Sequence, residues 1–150
     1  MTDLLGTELQ QAVLDRAAGR QLLTRLQDER TYRATVPALD DVAPGFADWI
    51  VTCLFGGTYQ RGVLALRERQ VATLAALATL GAVDPQLEGH VRTALRLGMT
   101  RQEVAEVLVH LAPYVGTPRT LAALRSARRA FDALDEQPDE QPDEQPDEQR

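Results

Sequence analysis

Between residues 7 and 30 the apolar positions Leu9, Val13, Ala17, Leu22, Leu23 and Leu26 recur at near-helical spacing, with polar side chains between them. That period predicts an amphipathic helix. Pro37 and Pro44 interrupt the pattern, and "GFADWIVTCL" at 45–54 reads as a buried helix, in which Trp49 and Cys53 pack together with the following Phe55. "FGGTYQRG" at 55–62 is a glycine-punctuated loop. Residues 65–80 form a strongly apolar helix ending at Gly81.

Asp84 and Pro85 then read as N-cap and first helical position, with Gly98 suited to a left-handed C-terminal cap after Leu97. Thr100 and Glu103 have capping-box spacing and open a helix expected to reach about Tyr114. Gly116 ends it, and Thr117-Pro118 repeats the start signature for a last helix ending near Leu134. No period-two alternation of useful length occurs, so the expected fold class is all-α.

"DEQPDEQPDEQPDEQR" at 135–150 has no apolar residue and a proline every fourth position up to Pro146. Such a segment buries too little surface to offset its ordering entropy and is expected to be a disordered acidic tail. The expected organisation is one helical domain over 1–134 and this tail over 135–150.

The tail also changes the meaning of the charge. The chain carries a formal −6, but 135–150 hold eight acids and one arginine, leaving 15 arginines against 14 acids in 1–134. A nearly neutral body argues against nucleic acid or an anionic membrane as partner. No apolar run approaches the ~20 residues of a membrane span, and "MTDLLGTELQ" lacks the pattern of a secretory signal, so a cytoplasmic location is expected.

Three absences narrow the chemistry. There is no lysine, which removes side-chain Schiff-base catalysis. Cys53 is the only cysteine, which removes a CxxC pair and an intrachain disulfide. The two histidines, His90 and His110, stand in no recognised metal-ligand spacing, so no metal is expected.

His90 shares a helical face with Leu87, Ala94 and Leu97, while Glu88, Arg92 and Arg96 form a separate stripe that reads as a solvated charge ladder. Two readings of His90 stand open: a core histidine bonded to a carbonyl, or a half-buried imidazole lining a pocket and exchanging protons near neutral pH. His110 lies on a stripe with Glu103, Glu106 and Tyr114. That stripe is either a solvated face or one on which Glu106 orients the ring and raises its basicity.

"RERQVATLAALATLGA" at 67–82, followed by "QLEGHVRTALRLGMTRQEVAEVLVHLAPYVGTP", closely resembles the carboxymuconolactone decarboxylase family. "RAAGRQLL" at 16–23 and "FGGTYQRGVL" at 55–64 extend the resemblance upstream. The resemblance implies an all-helical bundle of the alkyl hydroperoxidase D type, assembled as trimers or hexamers. The thiol-peroxidase branch of that fold uses C-x-x-C-x-x-x-H, for which this chain has Val83 and Gln86 at the cysteine positions, and its glutamate falls near Gln70. Peroxidase chemistry is therefore not expected.

The decarboxylase branch retains both histidines and needs no metal or organic cofactor. The implied reaction is decarboxylation of a small, anionic, conjugated lactone or keto acid. As CO2 leaves, electrons flow into the substrate's own carbonyl, and a histidine supplies the proton. On this basis His90, His110 and Glu68 are the catalytic candidates. Arg61, in its glycine loop, and Arg69 are the candidates to hold a carboxylate, with Tyr59 and Tyr114 beside them as substrate-binding residues. The chain departs from the family in "PRTLAAL", where Arg119 and Thr120 replace small residues and Asn, and in "GGTYQRGV", which lacks an aromatic residue before the arginine and a proline after it. Those departures leave room for a substrate other than carboxymuconolactone. The alternatives are a non-decarboxylating isomerase or cyclase of a polyketide-type intermediate, and a non-catalytic binding or assembly protein on the same fold. Either way, helix 65–80 is apolar around much of its circumference past Gln70, which predicts a homo-oligomer.

Overall fold

The computed structural model describes residues 14–136. All regular structure among these residues is helical, as expected. The chain divides into two compact units after Arg69, with described parts 14–69 and 70–136.

The first unit contains α1 (Arg16–Leu26), α2 (Glu29–Thr35), α3 (Pro37–Asp40), α4 (Phe46–Trp49), a π-helical segment (Ile50–Phe55) and a 3-10 turn (Thr58–Gln60). The helix expected over 7–30 stops at Leu26, and its stretch 7–13 lies outside the described residues. The break is chemical. The Asp28 carboxylate accepts a hydrogen bond from the Thr31 amide at 2.7 Å and starts α2, as Asp15 starts α1 through the Ala18 amide at 2.9 Å. Each carboxylate satisfies one of the amides that a helix start leaves without a partner.

Leu22, Leu23 and Leu26 of α1 are buried together with Ala47, Val51 and Phe55, each buried leucine contributing about 2 kcal/mol. α1 packs closely on the π-helical segment. A Cβ on Gly19 would lie 2.3 Å from the Val51 carbonyl oxygen, and one on Gly56 would lie 2.2 Å from that of Asp15. Only glycine permits this approach, in which the Asp15 amide also donates to the Gly56 carbonyl at 2.9 Å. The helix expected over 45–54 is thus short α followed by π, and its inward positions fall every fourth residue, at 47, 51 and 55. Trp49 falls between them. Contrary to expectation it is 57% exposed in the chain, stacked on Phe46 with ring centroids 5.7 Å apart. Cys53 is half-buried.

α5 (Leu66–Leu80) carries the division between the units and ends at Gly81 as expected. The second unit continues with α6 (Asp84–Arg96), α7 (Arg101–His110), α8 (Ala112–Val115) and α9 (Thr117–Glu136). α6 and α7 both pack on α9. The core is built from Leu74 and Ala78 of α5, Leu87, Val91 and Ala94 of α6, Val104 and Leu108 of α7, and the alanines of α9.

The capping box at Thr100 is formed in both directions: the Glu103 amide donates to the threonine hydroxyl at 3.1 Å and the Thr100 amide to the Glu103 carboxylate at 2.8 Å. Gly98, at φ 83°, closes α6 in the left-handed conformation. Three boundaries differ from expectation. α7 stops at His110 rather than Tyr114, because Pro113 has no amide hydrogen to continue the ladder and restarts the chain as α8. α9 runs two residues beyond Leu134. Asp84 is the first residue of α6 rather than its cap; its carboxylate accepts from the buried Ser126 hydroxyl of α9 at 2.6 Å. Beyond Glu136 the acidic repeat lies outside the described residues. Among those residues no helix is long and apolar enough to cross a membrane.

Candidate active site

The register of α5 places Gln70, Leu74 and Ala78 on one buried face. Gln70 is 1% exposed, so its amide needs partners within the protein. It finds both on α6. The Gln70 Nε2 donates to the main-chain oxygen of His90 at 2.7 Å and lies 2.9 Å from His90 Nδ1. His90 itself is half-buried, and burial lowers its pKa from the ordinary 6.5 to about 4. The ring is therefore neutral near pH 7. His90 is thus a partly buried imidazole whose Nδ1 is engaged by a glutamine.

His110 ends α7 and is exposed in the chain, its ring tilted against Tyr114 with centroids 5.7 Å apart. Tyr114 is 74% exposed and Glu106 is also exposed.

The remaining candidates belong to the first unit, where three of them meet. The Arg69 guanidinium lies over the Tyr59 ring, 5.9 Å from its centroid, and donates to the main-chain oxygen of Arg61. Tyr59 stacks in turn on the buried Phe55 at 5.3 Å. Arg69 thereby braces the loop that carries Arg61, whose residue is exposed. Glu68 stands apart from this cluster: its carboxylate accepts from the Ala65 amide at 2.7 Å and caps the start of α5. No group of three or more His, Cys, Asp or Glu side chains among the described residues is placed to hold a metal ion.

Two features escaped the sequence reading. Arg92, expected in a solvated ladder with Glu88 and Arg96, is buried, and Glu88 instead accepts from Arg129 of α9 at 2.6 Å. Gln70 as the partner of His90 was also missed. Its signal was an amide at the position whose helical neighbours on the same face, Leu74 and Ala78, are apolar; what it bonds to lies 20 residues away and has no local signature.

The model of the Carboxymuconolactone decarboxylase family matches residues 44–129, more than half of the chain. The chain belongs to that family. Over 120 residues it is 28% identical to the 4-carboxymuconolactone decarboxylase of Acinetobacter baylyi, covering 80% of this chain and 89% of that protein. It is also 31% identical over 101 residues to an uncharacterized 15.0 kDa protein in the nqo9-nqo10 intergenic region of Paracoccus denitrificans, covering 67% of this chain and 75% of that one.

Proposed function

We propose that this protein is a cofactor-free carboxy-lyase acting on a small, anionic, conjugated lactone or keto acid. The observation that carries the reading is the family membership together with near full-length similarity to a 4-carboxymuconolactone decarboxylase. The chemistry of the side chains is compatible with it. In such a reaction the bond to the carboxylate breaks, CO2 departs, and the electron pair passes along the conjugated path to the carbonyl oxygen. A proton then adds to carbon as the carbonyl reforms. The protein must hold anionic groups, stabilise the developing oxyanion and supply one proton.

Arg61 is assigned to a substrate carboxylate, for which a guanidinium offers paired donors, and Arg69 holds the Arg61 loop while Tyr59 supports Arg69. His90 and His110 handle the oxyanion and the proton, with Tyr114 against His110. Glu68 is the least favoured catalytic candidate, since its carboxylate is already engaged by the Ala65 amide. A cytoplasmic homo-oligomer is part of the proposal. In support, Leu80 in the second unit and Val63 in the first are 67% and 87% exposed in the single chain, apolar surface that a second copy would cover.

Substrate identity is the finer point. Arg119, which replaces a small residue of the family pattern, donates to the main-chain oxygens of Thr79 and Leu80 and so closes the C-terminal end of α5. It also stands beside a small cavity of about 70 Å³ lined by Leu77, Gly81, Val83 and Leu87. The test is direct. Purified protein is incubated with 4-carboxymuconolactone and with related conjugated keto acids, and CO2 release is followed with loss of the substrate's ultraviolet absorbance. Turnover of any of them that is lost in His90→Ala supports the reading. Absorbance change without CO2 would replace it with an isomerase or cyclase, and no change with any substrate would favour a binding protein.

A further inference from the structure

The contact between Gln70 and His90 determines where the imidazole proton sits. A carbonyl oxygen can only accept, so the bond to the His90 main-chain oxygen fixes which end of the Gln70 amide faces α6: the nitrogen end, 2.7 Å away. That NH2 has two hydrogens, and its second acceptor in reach is His90 Nδ1 at 2.9 Å. An Nδ1–H would set two donors against each other. Flipping the amide would place its oxygen against the carbonyl oxygen. Nδ1 must therefore present its lone pair, and a neutral ring with a lone pair on Nδ1 carries its hydrogen on Nε2.

We propose that Gln70 is a positioning residue that holds His90 as the Nε2–H tautomer, so that His90 serves the reaction as a hydrogen-bond donor to the developing oxyanion and not as the source of the proton. The proposal rests on the decarboxylase reading for its catalytic half; the tautomer itself does not. Burial acts in the same direction by keeping the ring neutral. A neutral imidazole is a poor acid but an effective fixed dipole, and a donor that keeps its proton needs no recharging between turnovers. As the carbon–carboxylate bond breaks, the electron pair moves to the carbonyl oxygen and Nε2–H bonds that oxygen without transfer. The carbon then takes its proton from His110 or from water, and the electron pair returns to close the carbonyl.

A glutamate at position 70 would reverse this arrangement. Its carboxylate can only accept, so it would draw a hydrogen onto Nδ1 and favour the imidazolium. The experiment uses the full chain labelled with 15N-histidine, read by long-range 1H–15N correlation, with His110→Gln to assign the two rings. In the parent protein near pH 7 the His90 pattern should show Nε2 protonated and Nδ1 bare. In Gln70→Glu the His90 titration should move up by at least about one pH unit, and the pH profile of kcat should gain a limb at the new value. A parent spectrum with Nδ1 protonated overturns the proposal, whether or not the variant folds. So does a Gln70→Glu titration that does not move, or an activity profile that keeps its shape while the titration moves. These spectra need no substrate, so absence of decarboxylation would defeat the functional reading while leaving the tautomer assignment to stand or fall by itself.

Discussion

Replacing Gly19 by alanine sets two effects of opposite sign against each other. Gly19 lies inside α1, where alanine is intrinsically preferred by about 1 kcal/mol. Against this, the new Cβ would meet three main-chain atoms: the Val51 oxygen at 2.3 Å, the Gly56 nitrogen at 2.6 Å and the Gly56 Cα at 2.9 Å. Favourable separations begin near ~3.5 Å, so α1 and the π-helical segment must part by about 1 Å. Backbone cannot rotate away as a side chain can, and the Asp15–Gly56 hydrogen bond at 2.9 Å lies in the same contact. Overpacking of this kind costs about 1–3 kcal/mol, and the upper end applies where the obstacle is main chain. Sterics win, for a net loss of about 1–2 kcal/mol. Gly62 supplies the control: a Cβ there meets nothing within 4 Å, so Gly62→Ala should be neutral or stabilise by about 0.5 kcal/mol through the unfolded chain. Urea unfolding of the parent and both variants, followed by circular dichroism near pH 7, measures the differences. A Gly19→Ala protein as stable as the parent would refute the close approach of α1 to residues 51–56.

His90 should make stability depend on pH. Its folded pKa of about 4 lies below the ordinary 6.5, so between these values the unfolded chain binds a proton that the folded one refuses. Stability is thus undiminished above about pH 6.5 and falls by about 3 kcal/mol as pH drops toward 4. Urea midpoints measured across that window should decline more steeply for the parent than for His90→Gln; parallel declines would remove the burial argument. Ser126→Ala should cost about 1 kcal/mol, because Ser126 is buried and bonds Asp84 at 2.6 Å and Arg129 at 2.8 Å, while the half-exposed Asp84 carboxylate regains water. Thermal melts would show it. Thr100→Ala should lose a similar ~1 kcal/mol with the capping box, again by melting, and leave the histidine spectra unchanged. Arg69→Ala should raise KM more than it lowers kcat if it braces the Arg61 loop, and steady-state kinetics on whichever substrate turns over separates the two.

Where a structural decision is made within one turn of helix, the amino-acid sequence by itself was enough. The helical class, the capping box at Thr100 and the ends at Gly81 and Gly98 each rest on neighbours three or four residues apart. The "RERQVATLAALATLGA" and "HLAPYVGTP" segments likewise carried the family. Boundaries failed where two local signals competed, as at Asp28, whose carboxylate starts a new helix inside an otherwise continuous apolar period. Of the candidate site, the residue types were legible and their roles were not. Gln70 stood out only as lying near the position of the peroxidase branch's glutamate until α6 was laid beside it; Asp84 looked like a cap until Ser126 arrived from α9; Arg92 looked solvated until its helix was packed. Only tertiary structure could decide these, because the protonation state of an imidazole, the partner of a carboxylate and the need for a glycine depend on atoms that meet across tens of residues. The chain records which side chains are present, but the distances between them come into being with the fold.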